Sequence, residues 1–246
     1  EGNIVTVGQS IYEANIIGNH TTGGAIIVKY NQNGEKLKVV NYGGPKTGIF
    51  NDIVVLDNSY VVVGVTQSGT GIIFKYDYNG NEIWHNYYGY TDSLGLTSIT
   101  KYKDTFIVTG SKLEEKSSTD SYKGVILSFS SNGELLNEQL YKKDKIARLE
   151  EAYVDGDRIL AIAIYGEKED NTLKNNTALL EYDANLKLVK EKPLTGKKIV
   201  TYTSILKDKD DYLLIGYTNS KIDGVKSNGY DYYPLMISYD SNLKQK

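Results

Sequence analysis

The chain has 246 residues, of which 40% are hydrophobic and 24% charged, and its formal net charge is −3. No run of Lys and Arg interleaved with aromatic residues is present, which excludes the usual electrostatic signature of a nucleic-acid-binding protein. The sequence contains no Cys, so disulfide bonds, thiolate catalysis and Cys-ligated zinc are also excluded.

An Asn-Gly turn between two strand-like runs recurs along the chain. It stands at Asn33-Gly34, Asn79-Gly80 and Asn132-Gly133, and in degenerate form at Ala184-Asn185 and Ser241-Asn242. The successive turns are 46, 53, 52 and 57 residues apart. An apolar run that ends in a small residue recurs with them, at Gly8, Gly64, Gly110, Ala163 and Gly216. Five copies at this spacing predict a repeat architecture of the propeller type.

Each complete copy has the pattern of four antiparallel strands. In the second copy these are residues 51–56, 60–66, 71–77 and 82–88. The middle two are nearly continuous in Val and Ile, which is typical of strands covered on both faces, whereas the fourth mixes in polar residues as an edge strand does. No segment has a sustained helical period. The sequence therefore predicts an all-β protein, a β-propeller of four-stranded antiparallel blades.

The repeats predict a single domain over residues 1–246. Its blades are expected at about 1–44, 45–90, 91–142, 143–195 and 196–246. The first copy lacks its first strand, and the last copy has only "LKQK" for its fourth. We favour five blades, with part of a six- or seven-bladed ring as the alternative.

Two phrases carry a resemblance to a known group of proteins. "KYDYNGNEIWHNYYG" and "YVVVGVTQSG" resemble the repeats of bacterial secreted β-propeller proteins, which are similar in style to quinoprotein-like propellers. The resemblance extends over essentially the whole chain and implies a fold rather than an activity. The docking tryptophans of quinoproteins are absent, since Trp84 is the only Trp, so no quinone and no other cofactor is expected.

Composition and resemblance together suggest where the protein works. Enrichment in Lys, Asn, Ile and Tyr is typical of bacteria with AT-rich genomes, and the absence of Cys fits export from a Gram-positive-type cell. We therefore expect an extracellular or cell-surface protein, and a processed chain because the sequence begins at Glu1 rather than Met. The longest apolar stretch, residues 159–165, is far below the ~20 residues of a membrane helix, so no membrane insertion is expected.

One face of the predicted propeller should carry the long loops. The loops between the second and third strands are residues 10–23, 112–123, 166–176 and 219–233, and they are long and unlike each other. The other turns are short. Because function is commonly carried by irregular loops on a rigid scaffold, this face is the expected location of any site.

Tyrosines and acids in and beside these loops form the first candidate site. Tyr rings offer an apolar face and a polar tip, which suit stacking on sugar rings or anchoring a protein interface. The alternative is that these rings only pack loops onto the sheets. The candidate ligand-binding residues are Tyr12, Tyr88, Tyr90, Asp92, Tyr230, Asp231, Tyr232 and Tyr233.

Equivalent positions near the start of the first strands form the second candidate site. They are Asp52, Ser98, Glu151 and Ser204, which are predicted to surround the mouth of the central channel. Carboxylates there could hold a cation or serve as an acid–base pair. The favoured alternative is that they hydrogen-bond neighbouring blades. The two histidines, His20 and His85, are predicted too far apart for a metal site, so no metal and no catalytic residue is assigned.

These observations favour a non-catalytic extracellular recognition module. It would bind a glycan or a surface protein through its loop-rich face, as a monomeric domain of an adhesin. One alternative is an envelope scaffold for protein–protein assembly. The other is a carbohydrate-active enzyme that uses a carboxylate pair, either Asp52 and Glu151 or acids of the loops.

Overall fold

The structure is a computed structural model that describes residues 2–10, 24–42, 48–89, 94–113, 121–169, 172–194, 200–219 and 232–246. These residues form strands, turns and irregular connections, and none of them lies in a helix, so the all-β prediction is confirmed. Accordingly, this part of the chain holds no helix capable of crossing a membrane.

The strands follow the predicted repeat closely, except that residues 166–169 and 172–176, predicted as part of a long loop, lie in two paired strands. They are β1 (Ile4–Ser10), β2 (Gly24–Tyr30), β3 (Lys36–Tyr42), β4 (Ile49–Val55), β5 (Ser59–Val65), β6 (Gly71–Asp77), β7 (Glu82–Tyr88), β8 (Leu94–Tyr102), β9 (Thr105–Leu113), β10 (Tyr122–Ser130), β11 (Leu135–Tyr141), β12 (Ile146–Asp155), β13 (Arg158–Glu169), β14 (Thr172–Tyr182), β15 (Leu188–Pro193), β16 (Val200–Asp208), β17 (Asp211–Thr218) and β18 (Tyr233–Tyr239).

These strands form consecutive antiparallel sheets. Sheet one is β1–β3, sheet two is β4–β7 and sheet five is β16–β18. Sheet three (β8–β11) and sheet four (β12–β15) are joined by a parallel pair between Tyr122 and Ile146. The chain divides into two compact units, residues 1–108 with 129–135 and residues 109–128 with 136–246. The first unit contains sheets one and two, and the second contains sheets four and five.

Each unit has its own apolar core between neighbouring sheets. In the first unit, side chains of sheets one and two pack together, and Phe50, Val62 and Tyr76 are almost fully buried. In the second unit, Tyr202 and Leu214 of sheet five pack against side chains of sheet four. Burial on both faces explains why the middle strands of these sheets are nearly continuous in apolar residues.

The five hairpin turns share one hydrogen-bonding pattern. The first residue of each turn accepts, through its side-chain oxygen, the backbone N–H four residues later. The donor–acceptor distances are 2.9, 2.8, 3.1, 2.9 and 2.8 Å for Asn31, Asp77, Ser130, Asp183 and Asp240 respectively. These backbone N–H groups lower the pKa of Asp77 and Asp240, because they stabilise the charged carboxylate.

The fourth residue of each turn adopts a left-handed backbone conformation. Gly occupies this position in the first three turns, but the last two have Leu186 and Leu243, with φ of 60° and 64°. The degenerate turns predicted at Ala184-Asn185 and Ser241-Asn242 are therefore wrong by one residue. Both Leu side chains are buried, with 1% and 0% exposure, and this burial offsets the steric cost of the left-handed conformation.

Each fourth strand also holds the turn of the following sheet. Asn86 Nδ2 donates to Gly133 O at 2.6 Å, and Asn137 Nδ2 donates to Asn185 O at 2.7 Å. Lys38 and Lys190 donate in the same way to the carbonyls of Asn79 and Asn242. The turn motif recognised in the sequence therefore also fixes one sheet against the next.

A charged network links sheets four and five near the start of β13. Arg158 binds Glu181 through two hydrogen bonds, Nε to Oε1 at 2.8 Å and Nη2 to Oε2 at 3.1 Å. Lys207 Nζ donates to Asp155 Oδ1 at 2.6 Å, and the Tyr212 hydroxyl donates to the other oxygen of Asp155. Hydrogen bonds from Lys207 and Tyr212 lower the pKa of Asp155.

Asp155→Asn should lower stability at neutral pH but not in acid. Because the pKa of Asp155 is lowered in the folded state, its contribution is present above the unfolded value of about 3.9 and is lost as the pH falls through the folded pKa. Urea unfolding from pH 7 to pH 2 checks this. The difference from wild type should disappear at the acid end, whereas Asp104→Asn, at an exposed acid of a corresponding turn, should show no such pattern. A difference that persisted to pH 2 would contradict the assignment.

Candidate functional site

Asp52 connects the first strands of sheets two and three. It lies on β4 where a β-bulge shifts the register between Phe50 and Asp52. Its Oδ2 accepts hydrogen bonds from Ser98 Oγ and Ile99 N, both at 2.8 Å, and its Oδ1 accepts from Ile53 N at 2.7 Å. The carboxylate is half-buried and Ser98 is buried. Three donors therefore hold this carboxylate in one orientation.

Glu151 occupies the corresponding position between sheets four and five. It lies within the bulge of β12, between Leu149 and Ala152, and its Oε2 accepts from Ile205 N of β16 at 2.9 Å. Ser204 lies at the bulge of β16, the first strand of sheet five. Ser98 lies on β8, the first strand of sheet three. Both carboxylates accept hydrogen bonds from the neighbouring sheet, which is the arrangement of the favoured alternative. Their position at a channel mouth stays a prediction.

The loop end of sheet five is a second cluster, comprising Val200, Thr201, Tyr217, Thr218, Asn219, Tyr232 and Tyr233. Thr218 pairs with Val200 on one side and with Tyr233 on the other. Tyr232 is 59% exposed, and its ring meets the ring of Tyr217 edge-on at 5.3 Å between centroids. An exposed, supported aromatic ring is a suitable stacking surface.

Three buried polar atoms at this end have no hydrogen-bond partner among the described residues: Thr201 Oγ1, Asn219 Oδ1 and Tyr233 OH. The corresponding end of sheet two is closed by a tight turn in which Thr66 N donates to Thr70 O at 2.8 Å and Thr70 N donates to Thr66 Oγ1 at 3.0 Å. Buried polar groups are normally paired. The loop end of sheet five therefore differs from that of sheet two.

The remaining predicted residues are placed as follows. Tyr88 is half-buried and packs edge-on against Phe129, with 6.2 Å between ring centroids. His85 is exposed on β7, and its Nδ1 lies 2.6 Å from Glu82 Oε1. Across the described ranges, no three His, Cys, Asp or Glu side chains are grouped to hold a metal ion. Tyr12, His20, Tyr90, Asp92, Tyr230 and Asp231 lie outside the described residues.

The structure adds Thr201 and Asn219 to the residues found from sequence. A signal for Thr201 was present in the repeat. By strand register, Thr201 stands where β4 has the apolar Ile49, since Tyr202 pairs with Gly216 as Phe50 pairs with Gly64. Alignment of the first strands would have marked this hydroxyl as a departure from the repeat.

No model of a known protein family matches the chain, and no curated protein matches its sequence. Several solved structures have a similar fold. Acylaminoacyl peptidase from Pyrococcus horikoshii is 14% identical with a TM-score of 0.55, and the match covers 100% of this chain and 38% of that chain. The β-propeller domain of the Trilobed protease from Pyrococcus furiosus is 13% identical with a TM-score of 0.53, covering 100% and 68%. A GH32 β-fructofuranosidase from Bombyx mori, in complex with sucrose, is 14% identical with a TM-score of 0.52, covering 100% and 60%.

These similarities confirm the β-propeller fold of antiparallel sheets. The number of blades stays a prediction, as do the bacterial origin and the secretion of the protein. At these identities the likeness shows the fold alone. The chain spans 38% of the length of the peptidase, so the activity of the whole protein is a matter for proposal.

The predicted non-catalytic recognition module is wrong. The peptidase and the fructofuranosidase share the fold across the entire chain and are both enzymes, so the fold gives no support to a non-catalytic module. The prediction failed because it treated the scarcity of His and the absence of Cys as evidence against catalysis, although glycoside hydrolysis requires only carboxyl groups.

Proposed function

We propose that the chain forms the propeller of a carbohydrate-active enzyme, in which Asp52 supplies a catalytic carboxylate. The observation that carries this proposal is the set of three hydrogen bonds that orient Asp52 while leaving it only half-buried. The β-fructofuranosidase supports the choice of substrate class, because its similarity extends over 100% of this chain.

The geometry of Asp52 suits catalysis for a physical reason. A catalytic group is most effective when its orientation is set before the substrate arrives, since the enzyme then spends no binding energy on ordering it. Ser98 Oγ and Ile99 N fix one carboxylate oxygen, and Ile53 N fixes the other. In this arrangement Ser98 is a positioning residue, whose hydroxyl acts through Asp52.

Glycoside hydrolysis generally requires a second carboxyl group. Glu151 is the residue to test, because it has the same place on its own first strand and is likewise half-buried. Its Oε2 accepts a backbone N–H, so its side chain is also oriented. Asp52 and Glu151 can each be replaced in a separate variant, so the test does not depend on the distance between the two carboxylates.

The direct test is a hydrolysis assay on the purified chain with sucrose, inulin and a panel of p-nitrophenyl glycosides. Release of sugar or nitrophenol from at least one substrate is expected. Peptide p-nitroanilides serve as the control, because they detect peptidase activity and a peptidase is among the proteins of similar fold. Hydrolysis of peptides alone, or of nothing in the panel, would overturn the carbohydrate assignment.

A further inference from the structure

The third residue of every hairpin turn is an asparagine. These residues are Asn33, Asn79, Asn132, Asn185 and Asn242. In the first three turns Gly follows, and an Asn before Gly is chemically reactive, because no Cβ shields the Gly nitrogen from the side-chain carbon Cγ of the Asn. In the last two turns the buried Leu186 and Leu243 follow instead, and their side chains crowd that nitrogen. The three Asn-Gly turns are therefore the candidate sites of modification.

These three turns have the same local structure. Asn33, Asn79 and Asn132 are all exposed to solvent. In each turn the N–H of the following Gly donates to the backbone carbonyl of the first turn residue, at 3.1, 2.9 and 3.0 Å respectively. Because this nitrogen must be released before it can attack Cγ, reaction requires the turn to open locally. Neither exposure nor the bond within the turn distinguishes the three sites.

The second and third turns are held by the preceding sheet. In the second, Lys38 Nζ donates to the carbonyl of Asn79. In the third, Asn86 Nδ2 donates to Gly133 O at 2.6 Å, and the ring of Trp84 lies so close that a Cβ on this Gly would be 2.5 Å from its Cζ3. Opening either turn must therefore also break contacts with a neighbouring strand.

The first turn has no such support in the described part of the chain. No side chain of another sheet there donates to the carbonyl of Asn33 or Gly34, and nothing lies within 4 Å of the Cβ position of Gly34. Opening this turn breaks only the bonds within it, such as that from Asn33 N to Asn31 Oδ1 at 2.9 Å.

We propose that Asn33 is a site of spontaneous deamidation, which in the folded protein reacts faster than Asn79 and Asn132. Gly34 N loses its proton and bonds to Asn33 Cγ, and the side-chain nitrogen leaves as ammonia, which gives a cyclic succinimide. Water then opens the ring at either carbonyl to give aspartate or isoaspartate. Water is the only co-reactant, and no electrons are transferred. Each event adds one negative charge to the turn at neutral pH.

The experiment incubates the purified chain at mildly alkaline pH and follows each Asn-Gly site by peptide mapping with mass spectrometry. Asn33 should react about three- to tenfold faster than Asn79 and Asn132, the factor that one net hydrogen bond contributes to the cost of opening. The same chain in concentrated urea is the reference, because the three dipeptides then lack their turns and should react at similar rates. Equal rates in the folded chain, or an order that persists in urea, would overturn the proposal.

Asn86→Ala tests whether the contact with the preceding sheet is what protects a turn. The substitution removes the donor to Gly133 O from an exposed position and should raise the rate at Asn132 by about three- to tenfold. Asn137→Ala is the matched control, since it removes the same kind of bond one sheet later, to Asn185 O, and should leave the rate at Asn132 unchanged. An unchanged rate in Asn86→Ala, or equal acceleration in both variants, would overturn this explanation.

Discussion

Asp52→Asn should reduce glycoside hydrolysis about a hundredfold, the lower range of what a positioned acid or base contributes. Asn has nearly the same shape as Asp but carries no charge and cannot transfer a proton. Its Oδ1 can still accept from Ser98 and Ile99, while its amide would face the N–H of Ile53, so unfolding free energy should fall by only about 1 kcal/mol. Initial rates and urea unfolding on the same preparations check both statements.

Asp183→Asn is the matched control for this substitution. Asp183 begins a hairpin turn in which its carboxylate accepts from Lys187 N, and the first turn already has Asn31 in the equivalent place. The fold therefore accepts this exchange, and activity should remain at the wild-type level. Equal rates for Asp52→Asn and wild type would remove Asp52 from the mechanism.

Ser98→Ala tests whether the hydroxyl acts through Asp52. The Ser98 side chain is buried and donates to Asp52 Oδ2, so its removal frees the carboxylate to rotate while Ile99 N still donates. The rate constant of hydrolysis should therefore fall less than in Asp52→Asn, with little change in KM. A fall in kcat that is accompanied by a lower thermal midpoint would instead indicate a purely structural hydroxyl.

The sequence predicted most of the fold because the repeat consists of residue types that have well-defined conformational preferences. Asn-Gly turns require a left-handed residue, and continuous Val and Ile mark strands covered on both faces. The strands found in sheet two, Ile49–Val55, Ser59–Val65, Gly71–Asp77 and Glu82–Tyr88, lie within a few residues of those predicted. The turns of the last two sheets were misplaced because Leu186 and Leu243 reveal their left-handed backbone only when their burial is known.

Less of the candidate site could be predicted from the sequence. The equivalence of Asp52, Ser98, Glu151 and Ser204 followed from the repeat, but the bonds of Asp52 to residues 46 and 47 positions away did not. Pairing between sheets depends on the bulges that displace β4, β12 and β16, and a bulge leaves no periodic signal. The unpaired state of the Thr201 hydroxyl among the described residues depends on its surroundings alone, and no local pattern encodes it.

Gly64→Ala should destabilise the protein by about 3 kcal/mol, because the added methyl group has no room. A Cβ at Gly64 would lie 1.9 Å from Ile49 O and 3.0 Å from Phe50 Cα, both backbone atoms of β4. Relief requires β4 to move away from β5 at the bulge that precedes Asp52. Hydrolytic activity should therefore fall together with stability. Urea unfolding and initial rates measure the two effects.

The repeat itself supplies the controls for this substitution. Gly216 has the same close approach in sheet five, where an added Cβ would lie 1.9 Å from Thr201 O, so Gly216→Ala should be similarly destabilising. Gly8 holds the corresponding place in sheet one, whose described residues include no first strand, and nothing lies within 4 Å of its Cβ position. Gly8→Ala should change stability by no more than about 0.5 kcal/mol. Equal effects at Gly8 and Gly64 would show that backbone entropy, rather than contact between the first and second strands, selects glycine at this position.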